Sequence, residues 1–310
     1  MEQKISTSIV SAFARSYHSK NSSIKVFDDS VAYDLIGKEE YNSIGENMSK
    51  GIRFFNPQFN GSDAEALRWI VDHQLAPTPL GRAAYCERML ENAIKMGASQ
   101  YLIFASGLDS FPHRQPDFAK SLKIFELDLP VTHVDKQQRV KKAKLSEVKN
   151  LTMINADFTK ADWGITLADQ CNFSSNEISF CSLLGISYYL EFTDFERIIS
   201  TISQLTSDGT TIVFDYPEEK SISEQSIKQR LLAKEAGEKM IGNYTYSTIE
   251  KMLERNGFLI YEHLDSDQIT QQIFNCYNLA NPDHPITAFR NVNYCLAVKK
   301  IVDSELTVRF

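Results

Sequence analysis

From Tyr101 onward, short apolar runs rich in β-branched and aromatic residues alternate with stretches whose apolar residues recur at helical spacing. Such alternation builds a parallel sheet with helices on both faces, because each connection between parallel strands needs a long crossover. Five runs read as successive strands: Tyr101–Ala105, Leu122–Leu127, Leu151–Ile154, Ile178–Leu184 and Thr211–Phe214. Two more follow, Phe258–Tyr261 and Val292–Val298, separated by Gln268–Asn281, which has no strong helical pattern, and by Pro282 and Pro285. This closing pair is predicted to be antiparallel. The expected fold class is α/β, with a Rossmann-like, seven-stranded, mostly parallel sheet whose last strand is antiparallel.

Helix starts are marked by Ser or Thr with Glu three residues later, a pattern that satisfies orphan backbone N–H groups reciprocally. It occurs at Ser62/Glu65, Thr193/Glu196 and Ser247/Glu250, each time ahead of apolar residues at helical spacing. A further helix is predicted over Arg82–Met96, after Pro79 and before Gly97. Residues 1–80 lack a strand pattern and read as an N-terminal helical cover over a sheet domain of residues 81–310. The polar stretch Pro217–Tyr246, after the fifth strand, reads as an inserted helical lid.

Composition narrows the partners. With 33 Lys+Arg against 40 Asp+Glu, the net charge of -7 repels polyanions, so neither nucleic acid nor an anionic membrane is expected. The basic run Lys136–Lys144 has helical spacing without interleaved aromatics and reads as a solvated helix face. Cys86, Cys171, Cys181, Cys276 and Cys295 are scattered, with no CxxC or Cys/His spacing, so no metal site is predicted. Thiols of this kind, with no apolar N-terminal leader and no apolar run long enough to span a bilayer, point to the cytoplasm.

Chemistry gathers at the strand ends. The first strand runs into Ala105-Ser106-Gly107, small residues whose backbone a ligand can approach closely. The second ends in Glu126 and Asp128, 19 and 21 residues beyond Gly107, the distance at which an acid grasps a ribose diol in dinucleotide-type sites. The third ends in Asn155-Ala-Asp157-Phe158, a carboxylate beside an aromatic ring, a pairing suited to an adenine amine and ring face. A strand, a Gly turn and a distal acid also serve nicotinamide cofactors, so an NAD(P)-dependent oxidoreductase stands as an alternative. A non-catalytic binder on a cofactor fold is another.

Taken in order, Arg82-Ala-Ala-Tyr85, Ala105-Ser-Gly-Leu-Asp109 with Arg114, Phe125-Glu-Leu-Asp-Leu-Pro130, Asn155-Ala-Asp-Phe158 and Leu184-Gly-Ile-Ser-Tyr-Tyr-Leu190 form a set. Together they resemble the class I S-adenosylmethionine-dependent methyltransferases of the leucine carboxyl methyltransferase type, which include polyketide carboxyl O-methyltransferases. Ser11-Ala-Phe-Ala-Arg15 and Phe27-Asp-Asp29 resemble that family's entry segment. The resemblance implies that Arg82 pairs with the methionine carboxylate of S-adenosylmethionine and that Ala105, Ser106 and Gly107 pass beneath its methionyl and ribose region. It further implies Glu126 and Asp128 at the ribose hydroxyls, Asp157 at the adenine amine and Phe158 against the ring.

Three positions depart from the family pattern: Ala105 replaces the first glycine of the turn, Ser110-Phe111 replaces a Thr-Arg pair, and Leu184 replaces an acid before Gly185. Tyr188 and His113 are candidates for the acceptor pocket, with Arg15, His133 and Tyr189 nearby in the pattern. The expected activity is O-methylation of a carboxylate on a small, polyketide-like molecule or a peptide. An ionised carboxylate is already a nucleophile, which suits a chain lacking a catalytic triad.

Overall fold

The computed structural model describes residues 6–160, 162–170, 172–218 and 224–301. Seven strands form one sheet: β1 Gln100–Phe104, β2 Lys123–Asp128, β3 Leu151–Asn155, β4 Ser179–Leu183, β5 Thr211–Pro217, β6 Phe258–Leu264 and β7 Val292–Lys299. Their order across the sheet is β3-β2-β1-β4-β5-β7-β6. The pairs among β1 to β5 are parallel, and β7 runs antiparallel between β5 and β6. The chain therefore moves outward from β1 to β3, then returns to place β4 on the other flank of β1. That reversal opens a crevice at the carboxyl ends of β1 and β4, the place where open α/β sheets bind ligands.

Around the sheet stand α1 (Thr7–Asn21), α2 (Pro77–Lys95), α3 (Pro130–Lys142), α4 (Phe192–Leu205), α5 (Glu224–Glu235) and α6 (Tyr246–Arg255). Strand periodicity divides the core in two: Tyr101 and Ile103 of β1 join the cluster beneath α1 and α2, while Leu102 and Phe104 join the one that contains the buried face of α4. That face consists of Phe195, Ile198, Ile199 and Ile202, at helical spacing, and each stabilises the fold by roughly 1.5–3 kcal/mol through burial. No helix of the described residues is long and apolar enough to cross a membrane.

The boundaries differ from expectation where capping competes. The capping box at Ser62 and Glu65 forms, but α4 begins at Phe192 behind Glu191, and the box of α6 is Thr245 with Thr248 rather than Ser247 with Glu250. The predicted helix over Arg82–Met96 starts earlier, at Pro77, directly after a π-helical turn over Val71–Leu75. Gln268–Asn281, which has no strong helical pattern in the sequence, is largely helical: the helix Ser266–Ile269 leads into a π turn, Thr270–Phe274, and then Asn275–Ala280. Burial of Ile269, Phe274 and Tyr277 against the core outweighs the weak local pattern. The fifth strand extends past Phe214 to Pro217, since antiparallel pairing with β7 continues through Asp215↔Tyr294 and beyond.

Candidate active site

A cavity of about 600 Å³ lies at the carboxyl ends of β1 and β4, between the sheet, α1, α2 and α5. The turn after β1 forms its floor. Gly107 has φ of +49°, and Ala105, at the position where the family pattern has glycine, has φ of +50°. The left-handed bend survives there with a side chain, at a cost of about 1–2 kcal/mol. A Cβ on Gly107 would come within 3.1 Å of Cβ of Ser8, so the start of α1 rests directly on this turn.

Asp128 anchors the turn from β2. Its Oδ2 accepts the Gly107 N–H at 2.7 Å and its Oδ1 accepts the Leu129 N–H at 2.7 Å, while the carboxylate also lines the cavity. Each carboxylate oxygen keeps a free lone pair, so the same group that shapes the turn can accept hydrogen bonds from a vicinal diol.

On the β4 side, Arg82 of α2 crosses the backbone at Gly185. The Arg82 Nη1 lies 3.4 Å from Oδ2 of Asp215, whose Oδ1 accepts the Gly185 N–H at 2.6 Å. A Cβ at position 185, where φ is +75°, would collide with the guanidinium. Glycine is thus required for Arg82 to lie flat against the end of β4. Burial and the nearby Asp215 hold the Tyr188 phenol well above its ordinary pKa, so it remains a neutral hydroxyl.

Behind the Gly turn sits a second ionic group. Arg15 donates to Asp29 at 2.8 Å and to the Leu108 carbonyl at 2.8 Å, and Arg114 faces both Asp29, at 3.6 Å, and Glu87. Burial works against the Asp29 charge, yet the two guanidiniums outweigh it and hold this carboxyl below its usual range. Arg114 is the family-pattern arginine after the turn. It serves here to tie α2 to the entry segment.

Of the residues singled out in the sequence, Arg82, Ala105, Ser106, Gly107, Asp128 and Tyr188 come together on the cavity lining, with Arg15 and Tyr189. Five others fall off it. Glu126 points to the same face of β2 as Asp128 but lies one step deeper, fully buried and paired with the equally buried Lys136 of α3. Asp157 closes a local turn through the Thr159 N–H and hydroxyl. Phe158 packs in the core with Phe104 and Trp163, its ring 5.6 and 5.8 Å from theirs. His113 is half-buried on the short Phe111–Arg114 helix; His133 also stands apart, bonded to Asn155. Glu126, Asp157 and Phe158 are each engaged within the fold and lie outside this lining.

Asp215 was not among the sequence candidates. Reading its strand as ending at Phe214 hid it, although it ends an apolar run in the same way as Asp128 and Asp157. It supplies a carboxylate at Gly185 although position 184 is leucine.

The lining is suited to a nucleoside carrying an amino-acid arm. It offers Arg82 for a carboxylate, Asp128 for a diol, and two buried hydroxyls, Ser106 Oγ and Tyr188 Oη, without hydrogen-bond partners. Buried polar atoms of this kind carry a desolvation cost until something meets them.

Comparison with known proteins gives the family and the fold. The class is that of the methyltransferase-type α/β sheet with its site at the β1/β4 switch point. Solved structures from Streptomyces avermitilis, a DUF574 family protein, and from Thermobifida fusca share this fold, with TM-scores of 0.56 and 0.54. They have 12% and 15% identity, over 81% and 82% of this chain and 96% and 94% of theirs. The family model of leucine carboxyl methyltransferase matches residues 8–203. YktD of Bacillus subtilis (strain 168), named for S-adenosyl-L-methionine-dependent methyl transfer, is 38% identical over 303 residues, 95% of this chain and 97% of its own. A Mycobacteroides abscessus protein named for the same activity is 32% identical over 131 residues, 42% of this chain and 43% of its own. The chain belongs to the leucine carboxyl methyltransferase family and is a methyltransferase whose methyl donor is S-adenosylmethionine. The nicotinamide alternative falls with that assignment.

Proposed function

We infer that the chain transfers the methyl group to an oxygen, with the carboxylate of a small molecule or peptide as acceptor, in the reducing cytoplasm. The observation that carries this reading is the arrangement of Arg82, Gly107 and Asp128 around one cavity at the switch point. Arg82 would take the carboxylate of the methionyl arm, held in place by Asp215 and Gly185. Ser106, Gly107 and Asp128 would take the ribose side, Asp128 accepting from the hydroxyls while keeping the turn closed.

When bound, S-adenosylmethionine supplies a methyl group on a positively charged sulfur, already activated for displacement. The protein is left with alignment, which is worth several kcal/mol when the reacting atoms are held within about 3–3.5 Å. Tyr188, kept protonated, can donate a hydrogen bond that orients the acceptor oxygen without taking its proton. A carboxylate acceptor needs no general base, consistent with His113 and His133 lying off the lining. The segment with α5 closes over the cavity: Glu238 accepts the Thr7 N–H at 3.3 Å and bonds its hydroxyl, and the Tyr189 hydroxyl donates to Thr7 at 3.2 Å. These bonds tie the start of α1 to the segment after α5 beside the site.

The test is transfer of a labelled methyl group to a library of carboxylic acids, alcohols and phenols. Label that is released as volatile methanol by mild base marks an ester and supports carboxylate methylation. Base-stable label marks an ether and overturns that choice of acceptor.

A further inference from the structure

The cavity reaches beyond the groups assigned to the cofactor. On the wall supplied by the helical cover, Gln74 lies within the π-helical turn and Thr78 in the first turn of α2. The two are four residues apart, and both line the cavity. Gln74 is 5% exposed, and neither its Oε1 nor Oγ1 of Thr78 has a hydrogen-bond partner although both atoms are buried. Unsatisfied buried polar atoms in residues of a cavity wall are costly to the fold, and a ligand group that meets them removes that cost. π-helical turns such as the one presenting Gln74 are commonly kept where a site needs them.

The surroundings define the group. Val10, Met48, Leu75 and Leu232 are apolar residues of the same lining, and Gln229 of α5 donates to the Gln74 backbone carbonyl at 3.5 Å. Charge is already committed elsewhere: Arg15, Arg82 and Arg114 each face a carboxylate, and no lysine or histidine lies on the described lining. The lid adds acids, Glu235 and Glu238. A second anionic group on the ligand would therefore find no free cation, whereas a hydroxyl can donate to Oε1 of Gln74 or bond the Thr78 hydroxyl.

We propose that Gln74 and Thr78 are specificity-determining residues that read an uncharged hydroxyl on an otherwise apolar acceptor, set apart from the oxygen that is methylated. The acceptor class is a hydroxylated, largely hydrocarbon carboxylic acid. This rests on the methyl-transfer reading above. It adds a second point of recognition that the chemistry of transfer does not require. Selectivity follows because an analogue without the hydroxyl leaves both polar atoms buried and unmet.

The experiment compares decanoic acid with a set of monohydroxydecanoic acids, using purified full-length protein and labelled S-adenosylmethionine. S-adenosylhomocysteine binding is measured in parallel by calorimetry. The expected result is that at least one hydroxy acid is preferred in kcat/KM by about tenfold or more. In Gln74→Leu and in Thr78→Val that preference falls several-fold, through a higher KM for the hydroxy acid, while S-adenosylhomocysteine still binds. Removing an unpartnered polar atom costs the fold nothing it was using, so both variants should melt no lower than the parent. A variant that does unfold is replaced by Gln74→Met or Thr78→Ala. Transfer without discrimination, a preference that survives both substitutions, or cofactor binding with no transfer to any acid of the set overturns the proposal. Failure of S-adenosylhomocysteine to bind the parent protein overturns the methyl-transfer reading itself.

Discussion

The carboxylate of Asp215 stands between Arg82, 3.4 Å from its Oδ2, and the Gly185 N–H, 2.6 Å from its Oδ1. One buried acid from β5 thus fixes both a guanidinium on α2 and the turn after β4. The geometry predicts distinct outcomes for the two partners. Arg82→Ala leaves the Asp215 charge buried and unpaired, which should cost about 3–5 kcal/mol of stability as well as cofactor affinity. Combining Arg82→Met with Asp215→Asn removes both charges while keeping an acceptor for Gly185. This double variant should recover most of the stability yet bind S-adenosylhomocysteine at least about tenfold more weakly than the parent, in line with the loss of a charged hydrogen bond. Calorimetry and thermal denaturation on the same samples separate the two effects, and parental affinity in the double variant would take Arg82 out of the cofactor site.

Asp128 does double duty, and substitutions should show it. Because it accepts from Gly107 and Leu129, Asp128→Ala exposes two backbone donors to an unmet environment and should lower stability by about 1–3 kcal/mol. Asp128→Asn retains one carbonyl acceptor and should be milder for the fold. Both should weaken S-adenosylhomocysteine binding, by about tenfold or more for alanine. An alanine variant with the parental dissociation constant would separate Asp128 from the ribose.

At Ala105 the left-handed backbone sets the sign of the change. Glycine adopts φ of +50° freely, so Ala105→Gly should relieve about 1–2 kcal/mol of strain, offset by roughly 0.5–1 kcal/mol of added chain entropy in the unfolded state. A small rise in the melting midpoint is expected. Ala105→Val, with a branched Cβ in that conformation, should lower it clearly. Chemical denaturation of the two variants measures the difference, and equal midpoints would mean the turn relaxes.

His18 makes stability depend on pH. Its Nε2 accepts the Val26 N–H at 2.9 Å in a nearly fully buried setting against Tyr277. Burial, and then the charge of Lys25, lower its pKa from 6.5 to about 4. The folded protein therefore resists protonation that the unfolded chain accepts. The contribution is fully present above pH 6.5 and is lost as pH falls from there toward 4, by up to about 3 kcal/mol. His18→Gln should flatten the stability profile across that window, although its midpoint at pH 8 is lower. A profile of unchanged slope would assign the acid sensitivity to other groups.

The succession of strands and helices along the chain is legible in the residues alone. Strand and helix periodicities are local, so the seven strands, the antiparallel close and the turn Ala105-Ser106-Gly107 were legible from the residues alone, as was Asp128 at its strand end. Only packing shows which acids stand on the cavity lining. Glu126 and Asp128 share a face of β2 and look equivalent in the chain, yet Lys136 from α3 reaches only the deeper one, and Phe158 is claimed by Phe104 and Trp163. Asp215 reaches Arg82 across 133 residues of sequence, and Gln74 meets α5 across 155. Contacts of such separation are set by packing and by the sheet order, which places β5 beside β4. Local spacing carries no record of them.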